Sequence, residues 1–293
     1  MITTATHVTT YLYGSPVAVC QTQVHLAPRS SPQQRVVSHE LEIRPEPAFQ
    51  VTREDYFGNE FTYFSIHEPH QTLTVTSISQ VELHPEEPPH EGLTPAWEMA
   101  RAEIHEGATE ETFHAREFTY RSPLVKLGEE LAVYAGPSFI AGRPIAEAAW
   151  DLCHRIFRDF RYDPRATTIS TPVNEVLKSR RGVCQDFAHL MIACLRSFGL
   201  SARYVSGYLR SGKDSIGAEA SHAWCSVYCP SFGWLDFDPT NDVMPQHNHL
   251  TVAYGRDYSD VTPVSGVAIG GGEQMITVSV EVLPPTGDIS VAG

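Results

Sequence analysis

Hydrophobic and polar residues alternate with a period of two in His7–Tyr13, Ser38–Ile43, Phe61–Ile66 and Leu73–Leu83, the spacing of strands with one buried face. Gly14-Ser15-Pro16, the run from Pro28 to Pro32, and Gly58-Asn59 punctuate these segments as turns. The cluster Pro85-Glu86-Glu87-Pro88-Pro89-His90 then ends the alternation and reads as a linker. Beyond it the period lengthens to that of a helix. Thr94-Pro95 offers an N-cap and a first-turn proline to Ala96–His105. Pro144–Phe160 carries Ile145, Ala148, Ala149, Leu152, Ile156 and Phe157 on one face. Val173–Lys178 follows, and then Cys184–Phe198, closed by Gly199. Strands return at Ala202–Leu209, His222–Tyr228, Gly233–Asp238 and Gln274–Leu283. The pattern predicts an α+β chain. A small all-β domain spans 1–88 and a catalytic-type domain spans 89–293, its core at about 144–245, with a C-terminal β segment at 274–284.

Composition changes this picture little. Of 293 residues, 42% are hydrophobic and 19% charged, ordinary for a globular chain. The net charge of −14 disfavours nucleic acid and anionic membrane surfaces, which need clustered positive charge. The first residues hold neither a basic region nor an apolar run, so a cytoplasmic setting with reduced thiols is expected. Six irregularly spaced cysteines fit that setting better than a disulfide framework.

Three stretches carry candidate chemistry. Arg180-Arg181-Gly182-Val183-Cys184 places a thiol in the first turn of an apolar helix. Unpaired backbone N–H groups and the positive dipole end there suit an anionic sulfur and an oxyanion, with Arg180 and Arg181 adding to the effect. In Ser221–Tyr228, strand parity puts His222, Trp224, Ser226 and Tyr228 on one face. In Gly233–Thr240, Trp234, Asp236 and Asp238 share a face, and a hairpin of this length can bring His222 to Asp238. Cysteine, histidine and aspartate then make a nucleophile, a base and its orienting carboxylate. Each alone has a plainer reading: an inert buried thiol, a strand histidine, an Asx turn before proline. Their order on suitable elements is what raises the joint case.

These residues resemble the transglutaminase-like superfamily, which includes transglutaminases, peptide N-glycanases and related bacterial thiol proteases. The likeness runs through Gly182–Phe187, Ala193–Tyr208, Ser221–Trp224 and Gly233–Asn241. It extends to a bacterial N-terminal β region through His7, Tyr11, Ser15-Pro16-Val17, Leu26–Arg29 and Asp55–Asn59, and to Gly255–Val261. It implies a papain-like fold in which Cys184, His222 and Asp238 are the catalytic triad. It also implies a thiol-dependent amide or peptide hydrolase or acyltransferase working through an acyl-cysteine, with a peptide or protein substrate. Water is the favoured acceptor, an amine acceptor (protein-glutamine transglutaminase) is the alternative, and a non-catalytic binding scaffold is the second alternative.

Several residues near these motifs stay open. Asp236, two residues and about 7 Å along the strand from Asp238, could orient His222 instead. Tyr162, Gln185 and Trp224 are candidates to touch substrate or oxyanion, each with a structural alternative. Arg256, Asp257, Tyr258 and Asp260 could close a pocket or form a salt-bridged loop. No cofactor and no metal is expected. His222 and Cys225 fall on opposite strand faces, and the pairs His67/His70 and His247/His249 lack companions at ligand spacing.

Overall fold

The computed structural model describes residues 2–84, 87–210, 216 and 220–283. Residues 85 and 86 of the expected linker, and residue 284, lie outside that set.

The amino-terminal part is a sheet built around one long strand, β1 (Ile2–Val24). With it run β2 (Gln34–Arg44), β3 (Phe49–Glu54), β4 (Glu60–Ile66) and β5 (His70–Leu83), in the order β2-β5-β1-β4-β3. The expected break at Gly14-Ser15-Pro16 is instead where β1 changes partners. Its first half pairs with β5 and its second with β4, and the register shifts between Leu12 and Val17. Val17, Cys20, Val24, Phe64, Ile66 and Val75 pack beneath this sheet.

Helices follow: α1 (Trp97–Glu106), α2 (Glu110–Glu117), α3 (Glu129–Ala135) and α4 (Ile145–Asp159). After the short β6 (Arg161–Tyr162) come α5 (Val173–Ser179), β7 (Arg181–Gly182) and α6 (Cys184–Ser197). A four-stranded antiparallel sheet is then formed by β8 (Ala202–Leu209), β9 (His222–Cys229), β10 (Gly233–Phe237) and β11 (His249–Gly255), ordered β10-β9-β8-β11. Twelve of the fourteen α6 residues are buried, so this helix is the centre of the core. Ala202, Tyr204, Ala223, Cys225 and Val227 join its cluster, whereas Arg203, Val205 and Trp224 alternate to the other side of the sheet.

The last two strands correct the expected organisation. β12 (Val264–Gly270) and β13 (Gln274–Leu283) do not extend the catalytic part. They pair with β1, β13 running from Thr4↔Leu283 to Tyr13↔Gln274, and they complete a seven-stranded amino-terminal sheet. The reason is the length of β1, whose far side otherwise has no ladder partner.

β11 is the edge of the four-stranded sheet, and two side-chain amides from the β domain close it. Gln34 Nε2 donates to Thr251 O at 2.6 Å while Gln34 Oε1 accepts from Thr251 N at 2.9 Å. Asn59 does the same to Tyr254, giving through Nδ2 at 2.9 Å and accepting through Oδ1 at 3.0 Å. Each amide replaces one residue of a missing neighbouring strand.

Candidate active site

Cys184 is the first residue of α6, after Val183 in extended conformation. The helix start is held by Asp186, whose Oδ2 accepts from Val183 N at 2.8 Å and from Thr167 Oγ1 at 2.6 Å. This turn explains Gly182: a Cβ there would lie 2.7 Å from Asp186 Oδ2 and 2.8 Å from Asp186 Cβ. The glycine is needed for close approach of a capping carboxylate.

β7 pairs in parallel with β6, setting Tyr162 opposite Gly182. Burial, and then the neighbouring Cys184, push the Tyr162 phenol up to about 12. Tyr162 therefore borders the thiol as a neutral hydroxyl. Gln185 turns to the loop before α5, giving Nε2 to Ile169 O at 3.2 Å. Arg180 lies over the Tyr134 and Phe160 rings, 4.7 Å from each, and Arg181 stands 3.8 Å from Asp163.

His222 opens β9 and Asp238 directly follows β10. His222 Nε2 meets Asp238 Oδ2 at 2.7 Å, with both side chains fully buried. Asp238 Oδ1 meanwhile accepts from Thr240 N at 2.9 Å and Asn241 N at 3.3 Å. The Asx turn and the bond to histidine are made by different oxygens of one carboxylate, so the two readings of Asp238 hold together. Asn241 Nδ2 adds a bond to Oδ2 at 2.8 Å. Burial alone would raise this carboxyl, but the charge and hydrogen bond of His222, with His249, hold it far below the usual range. Burial likewise opposes a charged His222. Asp238 outweighs it, and with the neighbouring Cys184 takes the ring up to about 10. His222 Nδ1 is buried and has no hydrogen-bond partner among the described residues. With Nε2 taken, it is the nitrogen left for the Cys184 thiol.

Asp236 does not compete for His222. Its Oδ2 accepts from Trp224 Nε1 at 3.0 Å, on the face turned away from α6. Trp224 is fully buried. Its ring lies against Gly207, where a Cβ would overlap both the indole and Leu250 O. Trp224 and Asp236, with Arg203, Trp234, Tyr254 and His249, wall a cleft of about 610 Å³ between this sheet and the β domain.

His249 carried no catalytic signal in the sequence pattern. It was visible only as half of a His-x-His pair, yet its Nε2 reaches Asp238 Oδ2 at 3.0 Å. Donor atoms of His222, Asp238 and His249 lie within 4.8 Å of one another and could in principle hold a metal. Both imidazole nitrogens reach one carboxylate oxygen at hydrogen-bond distance, so hydrogen bonds alone account for the grouping. The Arg256–Asp260 segment is a structural loop. Arg256 Nη2 meets Asp260 Oδ1 at 2.8 Å, Asp257 Oδ2 accepts from Leu124 N at 2.8 Å, and Tyr258 N donates to His189 Nε2 at 3.1 Å. All six cysteines are free thiols, and no helix among the described residues is long and apolar enough to cross a membrane.

Helix-borne thiol, antiparallel sheet and the buried His–Asp pair define a papain-like α+β architecture of the transglutaminase type. Residues 4–82 match the bacterial transglutaminase-like N-terminal region, and residues 140–239 match the transglutaminase-like superfamily. The chain belongs to this bacterial transglutaminase-like family. An uncharacterized protein of Mycobacterium tuberculosis is 45% identical over 97% of this chain and 93% of its own length. One of Mycobacterium leprae is 33% identical over 94% and 96%. A protein-glutamine gamma-glutamyltransferase of Pseudomonas aeruginosa is 32% identical over 31% of this chain and 16% of its own. A Cytophaga hutchinsonii structure, described as a candidate cysteine protease, superposes with TM-score 0.77 at 19% identity over 99% and 92% of the chains.

Proposed function

We propose that the protein is a thiol-dependent acyl-transfer enzyme that opens amide bonds through an acyl-Cys184 intermediate. The observation that carries this reading is the 2.7 Å bond from buried His222 to Asp238, with Nδ1 outside any hydrogen bond among the described residues and Cys184 near enough to favour the charged ring. Asp238 orients the ring and favours its charged form, and the charged ring favours a thiolate at Cys184. The sulfur attacks the carbonyl carbon, and the C–N bond breaks as His222 Nδ1 gives its proton to the leaving nitrogen. An acceptor then attacks the thioester and returns a proton to His222, releasing the Cys184 sulfur. Backbone N–H groups at the start of α6 are candidates to bind the oxyanion, with the Tyr162 hydroxyl beside them.

Water is the favoured acceptor, giving an amidase or protease. The local similarity to a gamma-glutamyltransferase supports an amine as the alternative. A glutamine-containing peptide library incubated with excess dansylcadaverine separates these, since hydrolysis yields free acid and transfer yields labelled peptide. Turnover undiminished in Cys184→Ala would sink both readings, whereas a wild type without any turnover would leave a binding scaffold.

A further inference from the structure

Asp238 is shared between two histidines. Oδ2 receives His222 Nε2 at 2.7 Å, Asn241 Nδ2 at 2.8 Å and His249 Nε2 at 3.0 Å. A carboxylate oxygen only accepts, and Asp238 is held firmly in its ionised form, so each of these nitrogens carries the proton. His249 therefore presents an Nε2–H to Asp238. Its ring centroid lies 6.0 Å from that of His222 and 5.1 Å, edge-on, from that of Trp224. Indole packing and the β11 backbone fix where that proton points.

We infer that His249 is a positioning residue of the active site: it holds the Asp238 carboxylate so that Oδ2 faces His222, and thereby keeps the imidazolium that supports the Cys184 thiolate. The inference rests on the acyl-transfer reading above. A fully buried carboxylate is anionic only because hydrogen-bond donors replace water. Oδ1 is committed to the Thr240 and Asn241 amides, which fixes one end of the group. His249 and Asn241 fix the other from two sides, leaving His222 the remaining direction.

His249 also gives the β domain a part in the chemistry. It is the first residue of β11, and Gln34 grips Thr251, two residues further on. The β domain so holds the strand that holds the carboxylate. In this account the amino-terminal sheet supports the triad from behind, across the cleft whose wall includes His249.

The test needs no substrate. Iodoacetamide labelling of Cys184 at pH 6, followed by peptide mass spectrometry, reads the thiolate that a charged His222 supports. Wild type, His222→Gln, His249→Phe, His249→Gln and His249→Asn are compared, with thermal melts to confirm folding. Phenylalanine keeps the ring without the donor. Glutamine places an amide N–H near the position of Nε2, whereas asparagine is too short to reach. Labelling is expected to fall about tenfold or more in His249→Phe and His249→Asn, and to recover to within about threefold of wild type in His249→Gln. If His249→Phe does not fold, the Gln/Asn pair still decides. Fast labelling in all three His249 variants, with His222→Gln slow, would overturn the His249 role and leave the acyl-transfer reading standing. Slow labelling in wild type, equal to His222→Gln, would instead overturn the acyl-transfer reading.

Discussion

Trp224 Nε1 donates to Asp236 Oδ2 at 3.0 Å, and this bond decides between two aspartates that strand parity alone cannot tell apart. Parity read from the sequence puts Asp236 and Asp238 on one face, but Asp236 is committed to an indole while Asp238, just beyond β10, meets His222. Asp238→Asn is therefore expected to lower kcat by about a hundredfold to ten-thousandfold, the range for a lost orienting carboxylate. Asp236→Asn should stay within about threefold of wild type, because an amide still accepts from Trp224. Steady-state kinetics on one substrate compares them; equal losses would show that the pairing is misassigned.

The raised His222 ring sets a pH signature in stability. Its folded-state value of about 10 lies above the ordinary 6.5, so the pair's stabilisation is fully present below about pH 6.5 and is lost as pH rises through about 10. Melting temperatures between pH 6.5 and 10 should fall more steeply in wild type than in His222→Gln, which has no proton to lose. Parallel curves would mean that Asp238 does not hold the ring charged.

Gln34 clamps one domain to the edge strand of the other. Its buried amide bonds Thr251 N, Thr251 O and Arg29 O. Gln34→Leu leaves those groups without a partner, at about 1–3 kcal/mol for each that water does not reach. A loss of roughly 2–4 kcal/mol in urea unfolding is the expected result. Because the same clamp supports β11, iodoacetamide labelling of Cys184 should slow as well; unchanged unfolding would show that the clamp is open in solution.

Gly182→Ala tests the helix cap. The added methyl meets Asp186 at 2.7 Å, with no side-chain freedom on the glycine side to avoid it. Displacing Asp186 releases the Val183 N–H and the Thr167 hydroxyl, and should cost about 1–3 kcal/mol. Calorimetry measures that loss. A variant as stable as wild type would place the close approach elsewhere.

Much of this was legible from residue pattern. The α4 and α6 stripes, the β8–β10 strands and the Cys184–His222–Asp238 grouping follow from periodicity and order along the chain. What was hidden had physical causes. β12 is the run Val-Ser-Gly-Val-Ala-Ile-Gly, nearly all exposed, so no alternation marks it. α3 has seven residues, too few for a helical stripe to declare itself. In β11 the register slips between Thr251 and Ala253, which breaks the two-residue rhythm just after His249. The turn residues Gly14-Ser15-Pro16 stay within β1 because its neighbours change there, Gly14 N reaching Glu273 O at 2.8 Å and Ser15 N reaching Gly271 O at 3.0 Å. Long-range pairing overrode local punctuation.

The closing hairpin has a consequence for how the chain can be divided. Since β13 lies along the first half of β1, and β12 along the second, β1 acquires this flank only after all the chain between them has been made. No single cut yields two self-contained modules: an amino-terminal fragment keeps a raw row of amides and carbonyls, ready to recruit a stranger's strand.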